Sequence, residues 1–187
     1  MKFPPISVLV IGSVLLALGF WAGMWFSGSG PLVSSPTPTP LSAVKPDGER
    51  EEIYLYFSDA TEEYLSAETR KMVLKGSPEE RAHIIFESLA AGPAGEGITP
   101  LPGGTALLAL YMDGDMAVLD LDPAIRENHP GGSHAELHTI YALVNSLVLN
   151  VPEIRRVKIL IAGQEQDTLA GHIDIRHPLT ANMMIVR

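Results

Sequence analysis

The chain has 187 residues, a formal net charge of −9 and no cysteine, with 17 glycines and 15 prolines. That length holds one ordinary domain plus a tail, not two full domains. The missing cysteine rules out a disulfide framework, a thiolate metal site, a cysteine nucleophile and a lipid-bearing cysteine. The acidic balance argues against a nucleic-acid partner, which needs clustered lysine and arginine.

Residues 1–5 carry Lys2 and precede an uncharged run over 6–26, ISVLVIGSVLLALGFWAGMWF. As a helix this run extends about 31 Å, enough to cross a hydrocarbon core. Positive charge on the near side, with no Lys or Arg on the far side until Lys45, predicts a cytoplasmic N-terminus and an extracytoplasmic remainder. A cleaved signal peptide is the alternative, but its apolar core is usually shorter, so the length favours a retained transmembrane anchor. Gly19 and Gly23 could pack two such helices, although glycine is common in membrane spans anyway. Residues 27–50, with alternating Pro-Thr and a Gly/Ser cluster, read as a stiff tether. Residues 51–187 are then the folded domain, with 20 acidic and 10 basic residues.

Within the domain, Ile53 to Phe57 is predicted as a strand, and a weaker extended stretch follows from Leu65 to Leu74. Ser77-Pro78-Glu79-Glu80 is a helix start with a capping box, and Ala82, Ile85, Phe86 and Leu89 share one face of that helix. Gly92-Pro93 ends it. Thr105 to Met112 and Asp115 to Leu121 flank Asp113-Gly114, which predicts a type I′ hairpin. Ser133-His134-Ala135-Glu136 has the form of a second capping box. The helix it opens has an apolar stripe at Leu137, Ile140, Tyr141, Val144, Leu147 and Val148. Arg156 to Ile161 is predicted as a central strand, followed by a shorter arm near Thr168 to Ile175. The order predicts an α+β domain: one mixed β-sheet with two helices packed on one face, behind the transmembrane helix.

Several short segments, in order, resemble the sporulation and spore germination (GerMN) domain. They are Ile53–Phe57, Leu89-Ala90-Ala91-Gly92-Pro93, Leu101-Pro102-Gly103-Gly104-Thr105, Val118-Leu119-Asp120-Leu121, Gly132-Ser133-His134-Ala135-Glu136, and the closing Val157–Gly163, Thr168–Asp174 and Pro178-Leu179. The resemblance covers essentially all of 53–179. It implies an extracytoplasmic α+β module, usually tethered to a membrane, similar to ring-building modules of envelope assemblies and with no accepted catalytic residues.

The residues themselves offer little chemistry. His134 and His138 share a helical face and could meet a metal with Asp120 or Asp122, but two histidines fall short of the three or four ligands of a zinc site. No Gly-x-Ser-x-Gly elbow and no phosphate loop is present. Asp120 and Asp122 alternate on a strand and are read as its wet face. Neither catalytic residues, a metal site nor a cofactor is therefore expected. His172 stands beside a turn in the best-matched motif; with Gly171 and Asp174 it is the candidate ligand or partner contact. The simpler reading is a ring bonded to a backbone carbonyl. The expected function is a non-catalytic interaction or assembly module of the cell envelope, with envelope proteins or self-association as partners. The alternative is an envelope domain binding a small ligand or wall fragment, or an unrecognised hydrolase.

Overall fold

The computed structural model describes residues 50–187. The anchor expected over 6–26 and nearly all of the tether expected over 27–50 lie outside the described residues. Among the described residues, no helix is long and apolar enough to cross a membrane.

The chain opens with an antiparallel pair, β1 (Glu51–Ser58) and β2 (Leu65–Met72). Alternation sinks Ile53, Leu55 and Phe57 of β1 into the core. β2 keeps its charges outward: Arg70 holds Glu68 at 2.6 Å and donates to the carbonyls of Ser88 and Gly92. Those carbonyls belong to the end of α1 (Pro78–Ala90), a helix with no basic residue of its own in the last turn. Arg70 supplies the missing positive charge there. At the other end the expected capping box forms, with Ser77 Oγ accepting from Glu80 N–H and Glu80 Oε2 accepting from Ser77 N–H. Ala82, Ile85, Phe86 and Leu89 are all buried, as their spacing predicts.

A three-stranded sheet follows, in the order β3 (Leu107–Asp113), β4 (Met116–Leu121) and β5 (Arg156–Ile161). β3 runs antiparallel to β4, and β4 parallel to β5. The crossover from β4 to β5 carries a short helix, α2 (Ala124–Glu127), and a long one, α3 (Ser133–Val148). Both long helices touch both sheets: α1 packs on β1 and β3, and α3 on β1 and β5. A 3₁₀ turn, Met183–Ile185, lies near the C-terminus.

Five sequence expectations need correction. The single sheet is two sheets. β4, not β5, is central in the larger one; the outer side of β5 carries two isolated bridges, one in which Val157 and Leu179 exchange 2.8 Å hydrogen bonds and one between Ile161 and Gln164. The hairpin loop is Gly114-Asp115, since Asp113 already pairs with Met116. Only Gly114 has positive φ (+61°), the sign pattern of a type II′ turn. The arm near Thr168 to Ile175 shrinks to one bridge, Thr168 with Asp174. Finally, α3 has no side-chain cap: Gly132 at φ +88° is its N-cap, Ser133 is its first residue, and Glu136 turns inward.

The reason for two sheets lies on α3, whose buried set includes Glu136, His138, Thr139, Asn145 and Ser146 besides its apolar residues. Its residues spaced by four run along the free edge of β1. Ser146 Oγ accepts from Tyr56 N–H (3.1 Å), and Asn150, just past the helix, accepts from Tyr54 N–H (2.8 Å) and donates to Tyr54 O (2.7 Å). Ser58 exchanges backbone bonds with Ile98, and its hydroxyl meets His138 Nδ1 at 2.9 Å. Side chains thus occupy the positions where a third strand would bond, and the small sheet stops there.

Ser146→Ala leaves the buried Tyr56 N–H without a partner and is expected to lower the unfolding free energy by about 1–3 kcal/mol. Denaturant titration checks this; an unchanged midpoint would contradict the edge-covering role.

Candidate functional site

The expected contact residues sit in the loop after β5, and a residue that the sequence assigned to a helix cap holds them. Glu136 is fully buried, and its Oε1 accepts from Ala170 N–H at 2.7 Å. Its Oε2 accepts from His172 N–H at 2.8 Å and meets His172 Nδ1 at 3.1 Å. The His172 ring therefore bonds a carboxylate and not a backbone carbonyl. The ring stays 47% exposed, so its other side is available to a neighbour. Gly171 takes φ +104°, open to glycine, and donates its N–H to Thr168 Oγ1. Asp174 belongs to a separate unit: it accepts from the backbone N–H of Arg176 and from its guanidinium. Those bonds hold its carboxyl far below the usual carboxylate range.

For Glu136, burial pushes the carboxyl pKa up, but the backbone N–H donors, Ala170 foremost, and the His172 ring outweigh it. The net position is below the ordinary value near 4.5. A signal for this role existed in the sequence, because Glu136 is in phase with Ile140, Val144 and Leu147 on the buried face.

On another side of α3 a cavity of about 110 Å³ is lined by Ser58, Glu62, Pro130, His134 and His138, among others. His138 is 2% exposed; its Nδ1 meets Ser58 Oγ and its Nε2 has no partner. Burial foremost, and then the neighbouring His134, hold its pKa below the usual histidine value. As a serine–histidine pair it lacks the third group that orients the base, and Ser58 itself is buried. Asp120 and Asp122 do not join the histidines. Asp120 accepts from Gly163 N–H and Asp122 from Ala124 N–H, each fixing a turn. Among the described residues, no three His, Cys, Asp or Glu residues form a metal-holding group.

The outer face of the larger sheet is different in kind. Tyr111, Val118, Lys158, Leu160 and Arg176 line a shallow hollow of about 430 Å³. Lys158 crosses its floor, donating to Arg176 O at 2.5 Å and pairing with Glu165 at 3.2 Å. At its side runs β3, which has no second partner strand among the described residues. From Leu107 to Met112 β3 carries no charge, and Leu108 and Tyr111 are half exposed. Sequence reasoning missed this surface because the run reads equally well as a buried strand.

Residues 54–167 match the Germane family model, described as sporulation and spore germination. Solved structures share the fold. The first GerMN domain of the sporulation protein GerM from Bacillus subtilis is similar over 70% of this chain and 97% of its own, at 20% identity and TM-score 0.57. The tandem GerMN domains of the same protein match over 70% of this chain and 46% of theirs, at 17% identity and TM-score 0.54. A protein of Clostridium perfringens described as a suspected lipoprotein matches over 71% of this chain and 88% of its own, at 24% identity and TM-score 0.50. No curated protein matches.

Glu136→Gln keeps the shape but turns one oxygen that accepts from the loop into a donor. It is expected to cost about 1.5–3 kcal/mol, the range for a hydrogen bond to a charged group. Because the folded-state pKa is depressed, the carboxylate's contribution is complete above about pH 4.5 and is lost as pH falls through the lower folded value. The stability–pH curve of the variant should be flatter over that acid window. Parallel curves for variant and wild type would contradict the assignment.

Proposed function

The chain belongs to the Germane family of sporulation and spore germination domains, and from that premise we propose that it works by contact and not by catalysis. The observation that carries this reading is the uncharged, open β3 edge beside the hollow of Tyr111, Val118 and Leu160. The other exposed strand edges are treated differently. The free side of β1 is filled by α3 side chains, and β2 is studded with Glu68, Arg70 and Lys71. A strand edge left uncharged and without a partner strand is a template for an incoming strand from a partner.

The partner face, in this reading, extends from β3 across the hollow to the Asp174–Arg176 pair, with the loop of Gly171 and His172 as a separate candidate contact. Asp174 fixes the Arg176 guanidinium at the rim, and Glu136 fixes the His172 ring. The partner is an envelope protein or a second copy of the chain. Residues 6–26 act as a single-pass anchor, residues 27–50 as a tether, and 51–187 as an extracytoplasmic domain held near the membrane at high local concentration. The uncharged 6–26 run supports this placement, as does the likeness to a suspected lipoprotein.

A photoreactive amino acid at Leu108 or Tyr111 in the full-length chain is expected to give a discrete crosslinked band in cells, and one at Glu87 on α1 none. Tyr111→Lys should abolish the band formed from position 108. Equal crosslinking from all three positions would refute the surface. A phosphatase reporter fused after Arg187 should be active only outside the cytoplasm; cytoplasmic activity of a reporter there would overturn the orientation.

A further inference from the structure

The free edge of β3 lies between two hollows on opposite faces of its sheet. On the helix side, Lys75, Glu79, Glu80, His83 and Ile84 border a groove of about 460 Å³ whose sheet residue is Leu110. No residue of β4 or β5 enters that lining, so the groove lies beyond β3 and not over the middle of the sheet. On the outer face, Tyr111 and Asp113 border the shallow hollow of about 430 Å³. Strand alternation explains the two sides: Leu110 and Met112 turn inward against the core, while Ala109, Tyr111 and Asp113 are exposed. The register with β4 slips between Leu107 and Ala109 and is then continuous, so the regular edge runs from Ala109 to Asp113. A strand added there places every second side chain in the groove beside Ile84 and Leu110. Its other side chains lie alongside Tyr111 and Asp113.

The charge around this slot is negative on both sides. In the groove, two carboxylates, Glu79 and Glu80, face one lysine, Lys75, and Glu80 accepts from the neutral N–H of Ser77. In the outer hollow, Lys158 and Arg176 are already paired with Glu165 and Asp174. Asp113 makes no ion pair among the described residues. Resting on the contact reading, we infer that the occupant of the β3 edge is a basic strand of another protein. It carries apolar side chains at every second position, for the groove, and lysine or arginine between them, for Asp113 and the acidic rim. A second copy of the chain does not meet this requirement. Its own β3 has Asp113 as its one charge, and its domain brings 20 acidic against 10 basic residues. Opposite charges facing each other across two strands are favourable, and like charges are not. The net acidity of the domain also draws a basic segment in from a distance.

The test is amide hydrogen exchange of the full-length chain in non-ionic detergent, with and without a synthetic peptide, KIKVKIK or its charge-reversed form EIEVEIE. KIKVKIK is expected to add protection at alternate amides between Ala109 and Asp113 and none along β2, and EIEVEIE to add none. Asp113→Lys, at an exposed turn position, should weaken KIKVKIK by up to about fivefold, the worth of one cross-strand ion pair. Ile84→Lys, which changes only the groove, should weaken it by about tenfold or more, with unchanged protection of α3 showing that the fold is intact. No added protection at millimolar KIKVKIK, or equal protection by both peptides, would overturn the inference. So would a crosslinked band from position 111 in cells at twice the mass of the chain, which would make the occupant a second copy while leaving the contact surface in place. Absence of any band from positions 108 and 111 would instead remove the contact surface itself.

Discussion

Helix α3 carries polar side chains into the interior, and the rest of the domain is arranged to satisfy them. A buried carboxylate, amide or hydroxyl without a partner costs more than most single packing contacts contribute. Glu136 therefore requires the N–H groups of Ala170 and His172, and Thr139 donates to Pro100 O at 2.6 Å. Asn145 exchanges bonds with the backbone of Asn182, and Ser146 takes the N–H of Tyr56. Each bond draws a different loop or strand onto the helix. A stretch that reads as an irregular C-terminal tail is in this way fastened at two points, near 170 and near 182.

The same demand fixes protons as well as chains. Gly131 N–H donates to His129 Nδ1, which leaves that nitrogen unprotonated and puts the proton on Nε2, facing Thr139 Oγ1 at 3.2 Å. The Thr139 hydroxyl then donates onward to Pro100 O. Burial foremost holds the His129 pKa below its ordinary value, in keeping with this neutral arrangement. His138 Nε2 is where the pattern breaks, being buried without a hydrogen-bond partner while the polar groups around it are matched.

What the sequence made legible was local. The capping box of α1 and its buried face depend on residues three and four apart, so spacing alone identifies them. The hairpin was legible too, although its turn moved by one residue because Asp113 was needed as a strand pair. What was illegible is long-range. Asn150 lies 96 positions from Tyr54, and Glu136 lies 36 from His172; no local pattern marks an edge amide that a distant helix will cover. Glu136 was misread for a further reason: a glutamate three residues after a serine has the form of a capping box, yet Gly132 takes the cap position. Of the candidate site, His172 and Gly171 were placed correctly beside a turn, whereas the residue that orients them and the open face of β3 came only from tertiary structure.

Amide hydrogen exchange on the full-length chain tests the central role of α3 most directly. The N–H groups of Tyr56, Ala170 and His172 are bonded to α3 side chains and to no neighbouring strand. If α3 organises the fold, these three amides should exchange only through the global opening that releases the helix's own interior amides, with matching free energies of exchange. Exchange at the rate of exposed loops, with α3 still fully protected, would show that its polar side chains decorate the fold without holding it together.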